Sequence, residues 1–136
     1  PKNCILGPIQ DFNPENVENE CISYQTLGSC PCRKLVVTWI KCPLYWNPDS
    51  LATFQIVLNE LDNSIESQLL YKPIGSDPVY RATLGIQNES GLIATSVPGK
   101  NCSSWSADRE GWMFTRVSPD LYSVTSIPFV FYPSEL

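Results

Sequence analysis

Apolar and polar residues alternate with a period of two through the middle of this chain. The run Thr53-Phe-Gln-Ile-Val-Leu58 sets Phe54, Ile56 and Leu58 on one side, with Thr53, Gln55 and Asn59 on the other. Residues Tyr80 to Gln87 repeat the pattern, opposing Ala82, Leu84 and Ile86 to Arg81, Thr83 and Gln87. Successive side chains of a strand point to opposite faces, so each run predicts a strand with one buried and one solvated side. Two further runs rich in β-branched and aromatic residues, Lys34–Lys41 and Ile65–Tyr71, are bounded by Pro, Asp, Asn, Ser or Gly and also read as strands. Asp62-Asn63-Ser64 tolerates turn dihedrals and predicts a hairpin between the Thr53 and Ile65 runs.

Towards the C-terminus, Leu92–Val97, Trp112–Val117, Tyr122–Ile127 and Phe129–Tyr132 read as additional strands. Pro128 marks an edge or a bend between the last two. Cys42–Ser50, with its prolines and an Asn-Pro-Asp step, reads as a loop that carries Tyr45 and Trp46 together. Lys72–Pro78 reads as a turn, and Lys100–Glu110 as a polar loop. No window of a dozen residues holds a 3.6 period. Short strands spaced roughly ten residues apart predict an all-β fold, an antiparallel β-sandwich. Residues 1–33 are rich in Pro, Gly and Asn, and short strands are expected there only at Cys4–Leu6 and Cys21–Gln25. The expected organisation is a disulfide-tied, irregular N-terminal segment or arm (1–33) and a sandwich domain (34–136), together one folding unit. Such an arm could add a strand to a neighbouring subunit.

Composition narrows the picture. A chain of 136 residues suits one domain with a real core. A net charge of -5 argues against nucleic acid as a partner, since a phosphate backbone demands a basic surface. No apolar run approaches the roughly 20 residues of a membrane span. With neither a start methionine nor a signal peptide, the chain is expected to be a mature or excised form.

The six cysteines, Cys4, Cys21, Cys30, Cys32, Cys42 and Cys102, carry the clearest chemical signal. The absence of His excludes Cys/His zinc sites, and Cys30-Pro31-Cys32 lacks the C-x2-C spacing of an all-Cys site. The expectation is therefore three disulfides and a secreted, oxidising setting. Two sequons agree with that setting: Asn88-Glu89-Ser90 and Asn101-Cys102-Ser103, which make Asn88 and Asn101 candidate glycosylation sites. About 15 connectivities are open. The expected one has Cys4 and Cys21 stapling the N-terminal segment, to each other or to Cys30 and Cys32, with Cys42 reaching Cys102.

Catalytic chemistry finds little support. Triads and most general-base arrangements use His. Asp49, Glu60, Asp62, Asp77, Asp108 and Glu110 could in principle serve a carboxylate-pair glycosidase, but all fall in predicted turns or loops, where solvated charge is the ordinary role. No catalytic residue, metal ligand or cofactor is expected; calcium is the one ion that Asn47-Pro-Asp49 or Asp62-Asn63 could take, and turn chemistry explains those residues equally well. Tyr45, Trp46 and Trp105 are candidate ligand-binding residues, because loop aromatics beside Asn and Asp can stack on a sugar. The competing role for a loop aromatic is to cap the open end of a core. Trp39 and Trp112 are expected in the core.

The series from Trp39 through Thr53-Phe-Gln-Ile-Val-Leu58, Ser64-Ile65, Tyr71 and Ala82-Thr-Leu-Gly-Ile-Gln-Asn88 to Gly91 resembles a β-sandwich module of bacterial extracellular repeat proteins, nidogen-like domains and plexin-domain-containing proteins. The resemblance covers residues 34 to about 97. It departs from the pattern around Asp62 and Asn63, where a turn glycine is usual, and at Ser67, where an aromatic is common. The cysteine-rich N-terminal part lies outside it. The resemblance implies extracellular adhesion or matrix scaffolding, with no catalytic residues. The expected function is thus a non-enzymatic, secreted structural or adhesive protein, a subunit of a filament, appendage or matrix. Its partners would be copies of itself or other extracellular proteins. The alternative is a lectin-like module binding glycans.

Overall fold

The computed structural model describes residues 2–15, 21–75 and 81–134. Asp77, Tyr80, the end of the Lys72–Pro78 turn and residues 16–20 of the expected arm lie outside the described residues. Nine strands run through the described chain: β1 (Cys4–Ile9), β2 (Ile22–Leu27), β3 (Lys34–Leu44), β4 (Asn47–Asn59), β5 (Ile65–Lys72), β6 (Thr83–Gln87), β7 (Ala94–Ser96), β8 (Ala107–Ser118) and β9 (Leu121–Ile127). They form a six-stranded sheet ordered β2-β3-β4-β5-β8-β9 and a three-stranded sheet ordered β1-β6-β7. All pairings are antiparallel. The chain is an all-β, two-sheet structure, as the alternation predicts.

The core lies between the two sheets. The Phe54 face of β4 aligns in register with Leu69 and Ile65 of β5 and with Trp39 and Leu35 of β3. Phe114 of β8 continues that layer opposite Ile65. The three-stranded sheet supplies Ala82, Leu84 and Ile86 from the second alternating run, joined by Val97 and Trp105. Close approach constrains two glycines, Gly7 against the facing sheet and Gly85 against the neighbouring strand β7. A Cβ on Gly7 would stand 2.8 Å from Ile56 Cγ1, and one on Gly85 would stand 2.6 Å from the Thr95 carbonyl oxygen. Cβ atoms essentially never come that near an atom of a residue remote in the chain, so a side chain at Gly85 would collide with backbone and one at Gly7 would force Ile56 to shift.

The expected hairpin at Asp62–Ser64 is present, with Leu58 paired to Ile65. Asp62 Oδ1 accepts from the Ser64 amide at 2.9 Å and Asn63 takes the left-handed conformation at φ 57°, which is turn chemistry. Other boundaries differ from the sequence reading. Cys42–Ser50 is not a loop: β3 and β4 run on until only Tyr45 and Trp46 separate Leu44 from its partner Asn47. Leu92–Val97 contributes only the short β7, and the polar Lys100–Glu110 segment gives its last residues, Asp108 and Glu110 included, to β8. The two short strands expected in the N-terminal segment are present and longer. Cys4–Ile9 pairs with the protein's own β6, and Ile22–Leu27 pairs with β3.

The largest correction concerns the side of the central strands expected to be wet. Thr38, Gln55, Glu66 and Gln68 are polar, yet Gln55 and Gln68 are 0% exposed and Glu66 only 3%. The chain beyond β9 lies over them. Phe129–Tyr132 is not a strand; its backbone bonds to side chains instead. The Tyr132 amide donates to Gln55 Oε1 at 2.9 Å, and Gln55 Nε2 donates back to the Tyr132 carbonyl at 2.9 Å. The Val130 amide donates to Gln68 Oε1 at 3.0 Å. Two glutamine amides thus stand in for a partner strand. Polar groups taken out of water must find such partners.

Candidate functional site

Two surfaces carry groups that no packing role absorbs. The first is the tip of the β3–β4 hairpin. Tyr45 is 50% exposed and Trp46 65% exposed, their rings meeting edge to face at 4.8 Å. The tip is braced from below. The Tyr45 amide donates to the Asp11 carbonyl at 2.9 Å, the Asn13 amide donates to the Pro43 carbonyl at 2.9 Å, and Phe12 bridges to Leu44. A bulge between Trp39 and Cys42 re-aims the outer half of the hairpin. Lys41 sits there at φ 49°, its amide donating to Thr53 Oγ1 at 2.9 Å.

The thiols lie on this same half. Cys21 Sγ and Cys42 Sγ are 3.3 Å apart in the buried interior, and the Ile40 amide donates to the Cys21 carbonyl at 2.8 Å. The segment before β2 is therefore tied to β3 through Cys21 and Cys42. This replaces the expected neighbourhoods of Cys21 with Cys4 and of Cys42 with Cys102. Cys30, Cys32 and Cys102 are exposed and Cys4 is half-buried. Burial, and then the Cys21 sulfur, pushes the Cys42 thiol up to about 12. In the unfolded chain it would ionise near about 8.5. Between those values the folded state holds a proton that the unfolded state releases, so stability falls as pH rises. Reduced wild-type protein is expected to lose its stability margin over Cys42→Ala as pH is raised from 8 to 10. Urea midpoints across that range check this, and a pH-independent margin would refute it.

The second surface is a groove. The three-stranded sheet is narrower than the sheet it covers, which leaves part of the inner face open. A cleft of about 490 Å³ runs past Ile5, Leu35, Leu58, Ile65 and Tyr122, with Thr26, Asn59, Asn63, Ser64 and the Arg33–Glu60 ion pair also on its wall. Beside it, β2 is an edge strand of the six-stranded sheet, with Ile22 exposed and Tyr24 75% exposed. A neighbouring cleft of about 370 Å³ shares Ile5, Ile65 and Tyr122 and has Asn88 on its wall.

The remaining candidates fall elsewhere. Trp105 does not join Tyr45 and Trp46 on the surface: it is 7% exposed, and its Nε1 donates to the Ala82 carbonyl at 3.0 Å. Lys72 Nζ and Lys100 Nζ each lie 4.3 Å from its ring centroid. Lys72, fully buried, donates to the carbonyls of Pro73 and Trp105, and burial followed by the nearby Lys100 charge brings it down to about 8. Trp105 is a core cap. Trp39 stacks on Phe54 at 4.8 Å, and Trp112 packs against the same core. Asn88 and Asn101 sit after β6 and β7; Asn101 is exposed, whereas Asn88 is half-buried and its Oδ1 accepts from Ser90 Oγ at 3.0 Å and the Ile93 amide at 3.1 Å. Among the described residues no group of three or more His, Cys, Asp or Glu comes close enough to hold a metal.

A rigid antiparallel two-sheet scaffold with exposed aromatics at a hairpin tip and a groove at a sheet edge has the form of a recognition or scaffolding module. The chain belongs to the nidogen-related family, described as NIDO related, which it matches over residues 2–117. That family is a non-catalytic, structural type of domain, usually extracellular. The match takes in the cysteine-rich N-terminal part, which the sequence resemblance had left outside. No curated protein and no solved structure matches the chain significantly.

Proposed function

We propose that this chain acts without catalysis or a cofactor as a secreted structural and adhesive module, a subunit of an extracellular assembly. The observation that carries this reading is the groove running beside β2, whose outer edge has no paired strand among the described residues. Edge strands offer unpaired backbone groups, and natural domains normally blunt or cover them. Here the edge presents Tyr24 and Ile22, which suit contact with a second copy or another extracellular protein. The six cysteines and glycans at Asn88 and Asn101 would add durability outside the cell. Sedimentation of wild type across a concentration series is expected to show species heavier than the 15.2 kDa chain. Tyr24→Lys should shift them to single chains, with folding stability changed by no more than about 0.5 kcal/mol, as for other exposed positions. A wild type that stays a single chain at every concentration overturns self-assembly.

A second reading is favoured by the hairpin tip, where Tyr45 and Trp46 present a rigid aromatic surface suited to stacking on a sugar. Trp46→Ala is then expected to abolish binding on a glycan array while the urea midpoint stays put. Binding that survives the substitution counts against it.

A further inference from the structure

On the outer face of the six-stranded sheet three side chains from adjacent strands converge: Lys34 of β3, Asn59 of β4 and Glu66 of β5. Lys34 and Asn59 are directly opposed in register. Lys34 Nζ donates to Asn59 Oδ1, and to Glu66 Oε1 at 3.1 Å. Asn59 Nδ2 donates to that same Glu66 oxygen at 3.1 Å and to Ser64 Oγ at 2.9 Å. The reverse orientation of the Asn59 amide would set its NH2 against the lysine ammonium, donor against donor, so the network itself decides which end faces Lys34. One carboxylate oxygen thus touches both an amine and the nitrogen of a carboxamide, while the carbonyl of that carboxamide faces the amine.

An ordinary ion pair accounts for Lys34 and Glu66 alone. It does not require the third member or the enclosure around it. Gln68 Nε2 donates to Glu66 Oε2 at 2.8 Å, and Tyr132 Oη donates to the same carboxylate at 3.0 Å. The Tyr132 ring lies 5.4 Å from Lys34 Nζ. The C-terminal tail thus covers the Glu66 carboxylate, whose side chain is 4% exposed, while the Lys34 side chain stays 35% exposed.

We propose that Lys34 and Asn59 become joined by an intramolecular isopeptide bond, with Glu66 as the proton carrier. Glu66 takes a proton from the Lys34 ammonium, and the free amine attacks Asn59 Cγ. The Nζ–Cγ bond forms, and Glu66 returns that proton to Nδ2 as the Cγ–Nδ2 bond breaks; the second proton then leaves Nζ through the freed carboxylate for the departing ammonia, which goes as ammonium. Lysine ammonium and carboxamide give a secondary amide and ammonium; charge is conserved and no oxidant or co-reactant enters. Fixed geometry of this kind replaces a second-order encounter by an intramolecular one. Burial favours the neutral amine, but the hydrogen bond and charge of Glu66 outweigh it and hold the Lys34 pKa up. The free amine is therefore the scarce form, and bond formation should quicken as pH rises. The product would clamp the open end of the β3–β4 hairpin, opposite the Tyr45–Trp46 tip.

Intact mass spectrometry of the full chain, reduced and deglycosylated after prolonged incubation at mildly alkaline pH, reads the bond directly. It does so whatever the module binds. Wild type is expected about 17 Da below its sequence mass, the loss of one ammonia. Its digest should contain a branched peptide joining Lys34 to Asn59. Lys34→Arg, Asn59→Ala and Glu66→Gln should keep their full masses. Wild type at full sequence mass overturns the proposal even if a variant fails to fold. An equal deficit in Lys34→Arg also overturns it, since that points to ammonia loss elsewhere.

Discussion

Replacing Phe54 with Ala is expected to lower the unfolding free energy by about 3–5 kcal/mol, the range for truncating a buried phenylalanine. Phe54 is 2% exposed, stacks on Trp39 at 4.8 Å with 13° between the planes, and meets Phe12 at 5.6 Å. Small domains are stable by only about 5–15 kcal/mol, so a loss of this size consumes much of the margin. The cost has two sources: the transfer of a large apolar group and a cavity that the facing sheet cannot fill. Phe12 also bridges to Leu44 below the hairpin tip, so the same substitution should loosen the setting of Tyr45 and Trp46. Urea unfolding gives the magnitude, and amide exchange at Leu44 and Asn47 reports the tip. A loss under about 1 kcal/mol would mean that Phe54 does not anchor the core as packed.

Deleting residues 128–136 is expected to cost about 2–4 kcal/mol, although its described residues, 128–134, form no strand. Backbone hydrogen bonds from Val130 and Tyr132 to buried glutamines contribute about 1 kcal/mol each, and the Tyr132 hydroxyl on the Glu66 carboxylate contributes more because its partner is charged. Gly111→Ala offers an independent check without shortening the chain. A Cβ there would stand 2.8 Å from the Ile127 carbonyl oxygen and 2.9 Å from both Gln68 Oε1 and the Pro128 carbonyl oxygen. It should push the tail off the sheet at its first contact. Both changes should expose the outer face to solvent exchange at Gln55 and Gln68; unchanged protection in both would show that the tail adds nothing to that face.

The pH dependence of the ionic group under the tail follows from the same contacts. Desolvation pushes the Glu66 carboxyl up, but hydrogen bonds from Gln68, Asn59, Lys34 and Tyr132 outweigh it and leave it below the usual carboxylate range. A depressed folded-state pKa contributes stability that is present above the unfolded value, about 4.3, and is lost as pH falls through the folded value. Wild type is therefore expected to lose its stability margin over Glu66→Gln under acid. A margin that is flat from pH 6 to pH 3 would refute that.

How much of this was legible beforehand can be judged residue by residue. The family pattern was readable from Trp39, the Thr53–Leu58 run and Ala82–Gly91, because those residues are local turn and strand signals. Lys34, Asn59 and Glu66 carried no such signal: they lie up to 32 positions apart, and only the register of three strands brings them together. Trp105 looked like a loop aromatic because its segment is polar; what buries it is the approach of Lys72 and Ala82 from distant elements, with Lys100 of its own segment folding over the ring.

The alternation of apolar and polar residues determined by itself that Phe54 and Leu84 face a common core, since a period of two assigns a strand's faces whatever surrounds it. It also determined the turn at Asp62–Ser64, where the dihedrals are set by the residues themselves. Only the tertiary structure decided what covers the opposite face, which cysteine meets which, and that Tyr45 and Trp46 form a hairpin tip. A polar residue's environment depends on whether another segment arrives with hydrogen-bonding partners, and the chain that arrives over Gln55 and Gln68 comes from more than 60 positions away.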